Sequence, residues 1–241
     1  MIFQILLLII ASIAGGIASI AGFGIGSLLT PLLAVKTGIG IAVAGVSIAH
    51  FFGTFLRFIF WRKYINKQVL LSFGLTSAAG GLIGAILHNV LFNSLLTIIF
   101  SLLLIFAGIM GLTGLSAKLR FSGIAAWIAG GLSGLFGGLV GNQGGIRSAS
   151  MLGFKLDQKE FVATATGIAL MVDLARMPVY LITQTKQIVA IWPFILIATV
   201  GVFIGTTMGA WVLKKIPENI FKKLVSIIIL LIGALLLVQS L

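Results

Sequence analysis

The sequence predicts an all-α, polytopic membrane protein made of two repeats of about four helical segments each, inverted relative to one another, with a broken, re-entrant first helix in each half. Composition is the first observation behind this. Of 241 residues, 60% are hydrophobic and only 8% charged, with a mean hydropathy of +1.25, too few charges to cover a soluble fold. The second is a series of apolar runs of membrane length separated by short polar stretches. The third is a duplication. Gly15–Leu33 is an apolar run interrupted at Gly22-Phe23-Gly24-Ile25-Gly26, and Gly134–Leu152 is another, interrupted at Gly141-Asn142-Gln143-Gly144-Gly145. A fixed offset of 119 residues carries Gly22 onto Gly141, Gly26 onto Gly145 and Leu33 onto Leu152. The same offset carries Lys36 onto Lys155, Arg57 onto Arg176 and Lys67 onto Lys186.

Taken in order, the chain opens with an apolar run at 2–21. It lacks the basic leading segment of a signal peptide, and cleavage would delete half of the first broken element, so it is expected to be retained. The short apolar piece Ser27–Val35 follows the break, and then come spans at 40–61, 68–87 and 91–114. The polar stretch Ser116-Ala117-Lys118-Leu119-Arg120 is a hinge between a first repeat at 1–115 and a second at 121–241. The second half repeats the order: a run at 121–140, the second break, the piece Ile146–Phe154, and spans at 160–182, 189–213 and 219–239. Late in each half the offset slips by two residues, so that Gly80 and Gly84 fit Gly201 and Gly205, and Pro217 falls in a longer last loop. The 31 glycines suit close helix packing in lipid.

Charge decides the orientation. Lys and Arg total 16 against four acids, Asp157, Glu160, Asp173 and Glu218, a net +12. On a soluble chain that excess would suggest nucleic acid. In a membrane chain it belongs to cytoplasmic loops, with a lesser share attracting an anionic substrate, and no nucleic-acid partner is expected. If runs 2–21 and 121–140 both cross fully, the loop charges divide six against seven, with no bias. If each broken element returns to its own side, Arg62, Lys63, Lys67, Lys118, Arg120, Lys155, Lys159, Lys214, Lys215, Lys222 and Lys223 gather on one face and only Lys36 and Lys186 stay opposite. The second arrangement satisfies the positive-inside rule. It gives each half three crossings, makes the halves inverted, and puts both termini outside the cytoplasm. Against it, 2–21 is long enough to span unaided.

A break inside the membrane leaves backbone groups without helical partners, which is tolerated only where it is buried or lines a polar cavity. Gly22, Gly24, Gly26, Gly141, Gly144 and Gly145 allow tight turns and close approach of a ligand to the backbone. The helices resuming after them aim N–H groups and a positive dipole end into the break, an arrangement suited to an anion. Phe23, Ser27 and Thr30 belong to the first site segment, and Asn142, Gln143, Ser148 and Ser150 add polar groups to the second. The alternative is that the glycines serve packing and the hydroxyls bond back to their own helices. Arg147 supplies a two-pronged contact for an oxyanion, or else snorkels to the interface; Leu28 stands at the matching position of the first half. Asp173 and Arg176, at i and i+3, can meet on one helix face. Their cost in a span, about 2.5–3.5 kcal/mol each, makes them functional candidates, Asp173 for proton coupling; the alternative is a mutually neutralising pair that fixes packing. Pro178 is expected to loosen that helix. Arg57 faces Thr54 rather than an acid and is expected to reach the cytoplasmic interface. His50 is a weaker titratable candidate in mid-span, and His88 is expected in a loop.

No enzyme is expected. The sequence has no metal-ligand spacing, no nucleophile–base pair and no phosphate loop, and its lack of cysteine removes disulfides and thiolate sites. No cofactor or metal is anticipated. The expected partners are a small anionic substrate, the lipid bilayer, a proton as coupling ion and a second copy of the chain in a homodimer. Two rivals stand beside a transporter. One is a passive channel on re-entrant half-helices, which the missing paired Asn-Pro-Ala signatures disfavour. The other is a membrane scaffold that transports nothing.

Two halves that each open with a glycine-rich broken motif and a leucine-rich piece resemble the TauE/SafE family of sulfite exporters and related sulfonate permeases. The resemblance rests on Gly22-Phe23-Gly24-Ile25-Gly26 with Pro31-Leu32-Leu33, and on Gly137-Gly138-Leu139-Val140-Gly141-Asn142-Gln143-Gly144-Gly145. It implies a multi-pass transporter of the prokaryotic plasma membrane for sulfite, thiosulfate, sulfoacetate or other organosulfur anions. The chain departs from the family pattern at Asn142-Gln143, where small residues are usual, and at Ser150, where a second proline is often found.

Overall fold

Helices form along the apolar runs and stop at the two breaks, Gly22–Gly24 and Gly141–Gln143, and at polar stretches. The computed structural model describes residues 1–91, 93–114, 123–151, 153–209 and 218–240. The predicted hinge Ser116–Arg120, together with Leu152, Lys214, Lys215 and Pro217, lies outside the described residues. In chain order the helices are α1 (Ile2–Ala21), α2 (Ile25–Thr37), α3 (Ile39–Trp61, continued by a 3-10 turn Arg62–Tyr64), α4 (Lys67–His88) and α5 (Asn93–Thr113). The second half supplies α6 (Ile124–Val140), α7 (Gly144–Met151), α8 (Gln158–Thr183), α9 (Thr185–Ala190), α10 (Trp192–Ile204, ending in a π turn Gly205–Gly209) and α11 (Glu218–Ser240). Five of them, Ile2–Ala21, Ile39–Tyr64, Lys67–His88, Asn93–Thr113 and Gln158–Thr183, are long and apolar enough to cross a bilayer. The chain is therefore an all-α, multi-pass membrane protein.

The breaks end helices in the same way twice. Gly22 (φ 77, ψ 1) and Gly141 (φ 74, ψ 7) are left-handed caps whose N–H groups bond the carbonyls of Ala18 and Gly137; any other residue would resist that backbone. The 119-residue offset holds for the ends of α1 and α6 (Ala21, Val140), the starts of α2 and α7 (Ile25, Gly144) and the starts of α3 and α8 (Ile39, Gln158). α8 is fixed by a capping box, with Asp157 accepting from the Glu160 N–H at 2.8 Å and Glu160 accepting from the Asp157 N–H at 3.3 Å. It runs on through Pro178 to Thr183. The span expected at 189–213 is instead divided. Ile191 separates α9 from α10, and the π turn follows.

The halves exchange elements. α4 of the first packs on α6 of the second, while α10 and its π turn pack on α1; α5 pairs with α11, and α3 with α8 at the centre. The exchanged contacts are backbone to backbone. A Cβ on Gly84 would lie 2.1 Å from the Leu135 carbonyl oxygen, and one on Gly134 would lie 1.8 Å from that of Ser77. In lipid, where apolar burial gives helices little reason to associate, such close approach supplies the contact energy.

Contacts at the helix ends fix the relative placement. Lys36, near the end of α2, lies over the Phe3 ring of α1 at 5.7 Å, so α2 finishes beside the start of α1. Met151, the last residue of α7, packs with Val69 and Phe73 of early α4, and Gly130 of early α6 lies against Phe73 and Thr76. At that same end, Lys159 of α8 lies over Tyr64 at 5.4 Å, and the Asn66 N–H donates to the Thr164 hydroxyl at 3.0 Å.

Candidate functional site

The two breaks meet. A guanidinium N–H of Arg147 (Nη2) donates to the Gly22 carbonyl at 2.9 Å, and Ser27 Oγ donates to Asn142 Oδ1 at 3.2 Å. Gly26 sits against the Gly141 carbonyl and Gly144 against the Phe23 side chain, each too close for a Cβ. Between them lies a narrow cavity with room for about one water. Phe23, Gly24, Gly26 and Ser27 line it from the first break, Gly141–Gly144 and Arg147 from the second, and His50 from α3. Thr30, fully buried one turn into α2, neighbours Gly141; Gly145 lies in the first turn of α7. Ser150 is the one predicted hydroxyl here seen bonding back to its own helix, to Ile146 O at 2.7 Å.

Several buried polar atoms around this cavity have no hydrogen-bond partner. They are Gln143 Oε1 and Nε2, Thr30 Oγ1, Ser148 Oγ, and two of the three guanidinium nitrogens of Arg147, Nε and Nη1. Unmade hydrogen bonds of this kind cost about 1–3 kcal/mol each, more for charged groups, so a cluster of them marks a place where a ligand or water completes the set. Arg147 is 1% exposed. It does not snorkel.

A second cluster of charge adjoins the cavity. Asp173 accepts from Arg176 Nε at 3.0 Å on one oxygen and stands 2.6 Å from His50 Nδ1 on the other. Thr54 Oγ1 lies 3.3 Å from the same histidine nitrogen and accepts from Arg57 Nη2 at 3.0 Å. Arg57 Nη1 donates to the Ala18 carbonyl at 2.5 Å, and Arg176 Nη1 donates to that of Gly137. Each arginine thus holds the helix end that precedes a break. The Tyr180 hydroxyl donates to the next carbonyl, Gly138.

Two expectations are corrected here. Arg57 is 1% exposed and does not reach an interface; a carbonyl of α1 and a hydroxyl of its own helix replace water as its partners. His88 is not in a loop but ends α4, buried, with Nδ1 2.6 Å from Leu139 O and Nε2 3.2 Å from Gly40 O. Its two ring nitrogens join α4 to the ends of α6 and α3. Neither role is readable from the sequence, because both partners are main-chain carbonyls of distant segments. The predicted pair Asp173–Arg176 does form, and His50 joins it.

What the fold and the site define is a multi-pass α-helical membrane protein with a cationic, water-sized gap between two broken helices. The chain matches the family described as Sulfite exporter TauE/SafE over residues 7–236. It belongs to that family, one of membrane transporters. No curated protein and no solved structure matches it.

Proposed function

We infer that the chain carries a small anion, sulfite or an organosulfur anion, across a prokaryotic plasma membrane by alternating access, binding it where the two breaks face each other. The observation that carries this reading is the set of unpaired buried donors on Arg147 and Gln143, opposite the Gly22–Ser27 segment. A guanidinium with two free nitrogens, a side-chain amide and the first N–H groups of α2 and α7 all favour negative charge at one point. The gap now admits about one water, so a four-atom oxyanion enters only when the broken elements part. That suits a site that is occluded between openings to either side.

Binding to purified protein tests this. Sulfite, sulfate, thiosulfate, sulfoacetate and acetate, with Na⁺ and Ca²⁺ as cation controls, are compared by thermal shift and calorimetry. One or more sulfur oxyanions should stabilise the protein saturably. Arg147→Ala should weaken that binding by about tenfold or more, the worth of a charge-assisted bond. Unchanged affinity in folded Arg147→Ala removes this residue from the site, and silence across the panel with folded protein removes the anion reading.

A further inference from the structure

The two halves treat their matched arginines differently. Arg57 and Arg176 stand 119 residues apart, and each donates to the carbonyl four residues before a break glycine, Ala18 and Gly137 respectively. Three residues earlier on each helix the matched positions hold Thr54 and Asp173. Arg176 therefore meets a carboxylate at 2.8 Å, whereas Arg57 meets a hydroxyl at 3.0 Å. Among the described residues Arg57 makes no ion pair, and its Nε has no partner. Arg147, which has only Leu28 as its counterpart, makes none either.

Among the described residues three arginines, each 1% exposed, thus share one carboxylate, itself fully buried. Geometry links them: Arg57 bonds Thr54, and Thr54 lies 3.3 Å from the His50 nitrogen that meets Asp173 at 2.6 Å. The net core charge is +2 with His50 neutral and +3 with it protonated. Helix ends do not remove this excess. The C-termini of α1 and α6 offer about half a negative charge each, and the N-termini of α2 and α7 return about as much positive charge beside them. Arginine keeps its proton at neutral pH, and an uncompensated buried charge is costly. No other described side chain supplies the missing negative charge, which points to something that enters.

We propose that the site is built for a doubly charged oxyanion, and that Arg57 sets this preference through the acid absent at position 54. The proposal rests on the anion-site reading above and narrows its substrate class: sulfite, thiosulfate or sulfate over singly charged sulfonates and carboxylates. Arg57 does not line the cavity. It acts through its charge in a medium of low dielectric, and its hydrogen bond to Ala18 fixes the helix end that leads into the first break. It is a positioning and charge-setting residue rather than a ligand.

The test uses full-length protein in nanodiscs at pH 8, with affinities measured for sulfite, thiosulfate and sulfate against methanesulfonate and acetate. The dianions should bind more tightly than methanesulfonate by about tenfold or more. Thr54→Asp gives Arg57 the acid that Arg176 already has, and should cut the dianion-to-methanesulfonate ratio by about tenfold. Arg57→Gln removes the same unit of charge by another route and should move the ratio the same way, which keeps the test open if Thr54→Asp misfolds. Lys186→Gln, on the exposed face of α9, removes a surface charge and leaves the ratio alone. A general loss of structure would weaken every anion alike and would not move the ratio. Equal binding of dianions and methanesulfonate by the unaltered protein, or a ratio unmoved in both folded core variants, overturns the proposal. Anion binding that depends on Arg147 but ignores charge overturns the charge preference alone, while no anion binding at all overturns the site and the preference together.

Discussion

His50 is the side chain that connects the cavity to the buried ion pair. One face of it lines the gap between the breaks, and its Nδ1 lies 2.6 Å from Asp173, which is fully buried. A proton held there sits next to the proposed substrate position, in a medium where its charge is felt strongly. We therefore propose His50, rather than Asp173 alone, as the residue that would couple transport to protons. Replacing it with glutamine keeps a hydrogen-bonding group of similar reach but no titratable one. In proteoliposomes, His50→Gln should reduce anion accumulation driven by a pH gradient far more than it reduces exchange at equal pH; an equal fall in both would separate His50 from coupling. At this scale the sequence showed which residues were chemical, because charges in apolar runs stand out: Arg147, Asp173 and Arg176 are all prominent for that reason. It did not show what they touch. Arg57 and His88 both find their places through carbonyls on other helices, and no spacing rule within one helix reaches those.

The elements are held by glycine faces, and the faces are not uniform. On α6, a Cβ at Gly134 would lie 1.8 Å from the Ser77 carbonyl oxygen, while one at Gly131 would find nothing nearer than Thr76 O at 3.9 Å. Gly134→Ala must push α4 and α6 apart and should cost about 1–3 kcal/mol, the usual range for overpacking. Gly131→Ala should be neutral or stabilising by up to about 1 kcal/mol, since alanine is the better helix former. Thermal unfolding of the two variants in the same detergent checks this, and equal melting points would mean that the close α4–α6 contact does not carry the fold. Helix positions were largely legible, since a run of apolar residues ended by a glycine cluster has one low-energy reading in lipid. The run expected at 189–213 was an exception: the division of its described part, up to Gly209, into α9, α10 and a π turn was not legible. Pro193 falls in the first turn of α10, where a missing N–H is tolerated, and so sets the helix start just after Ile191; the widening at Gly205–Gly209 has no counterpart in the residue pattern.

For the whole molecule the question is which way it sits in the bilayer, and contacts now bear on the charge argument. α1 has 20 residues, about 30 Å, and α2 has 13, about 20 Å; Lys36 at the far end of α2 nonetheless reaches back to Phe3. Arg62, Lys63 and Lys67 lie at the Tyr64 end of α3, and Lys159 touches Tyr64. After the two crossings of α4 and α5, a full crossing by α6 would have put that lysine on the opposite face. At the other end, Gln184, just before Lys186, donates to Asn89 at 3.2 Å. The described loop charges therefore divide as Arg62, Lys63, Lys67, Lys155 and Lys159 against Lys36 and Lys186, and the rule for cytoplasmic loops assigns the Tyr64 end to the inside. We expect two broken elements that each return to their own side, from opposite faces, with three crossings per half. Because the chain has no cysteine, a single introduced thiol reports one position without background. In intact cells a membrane-impermeant maleimide should label Lys36→Cys and Lys186→Cys and leave Lys63→Cys and Lys159→Cys untouched until the membrane is opened. Labelling of Lys63→Cys and Lys159→Cys from different sides would mean that a broken element crosses fully, and would remove the inverted pair of halves on which alternating access around a fixed site depends.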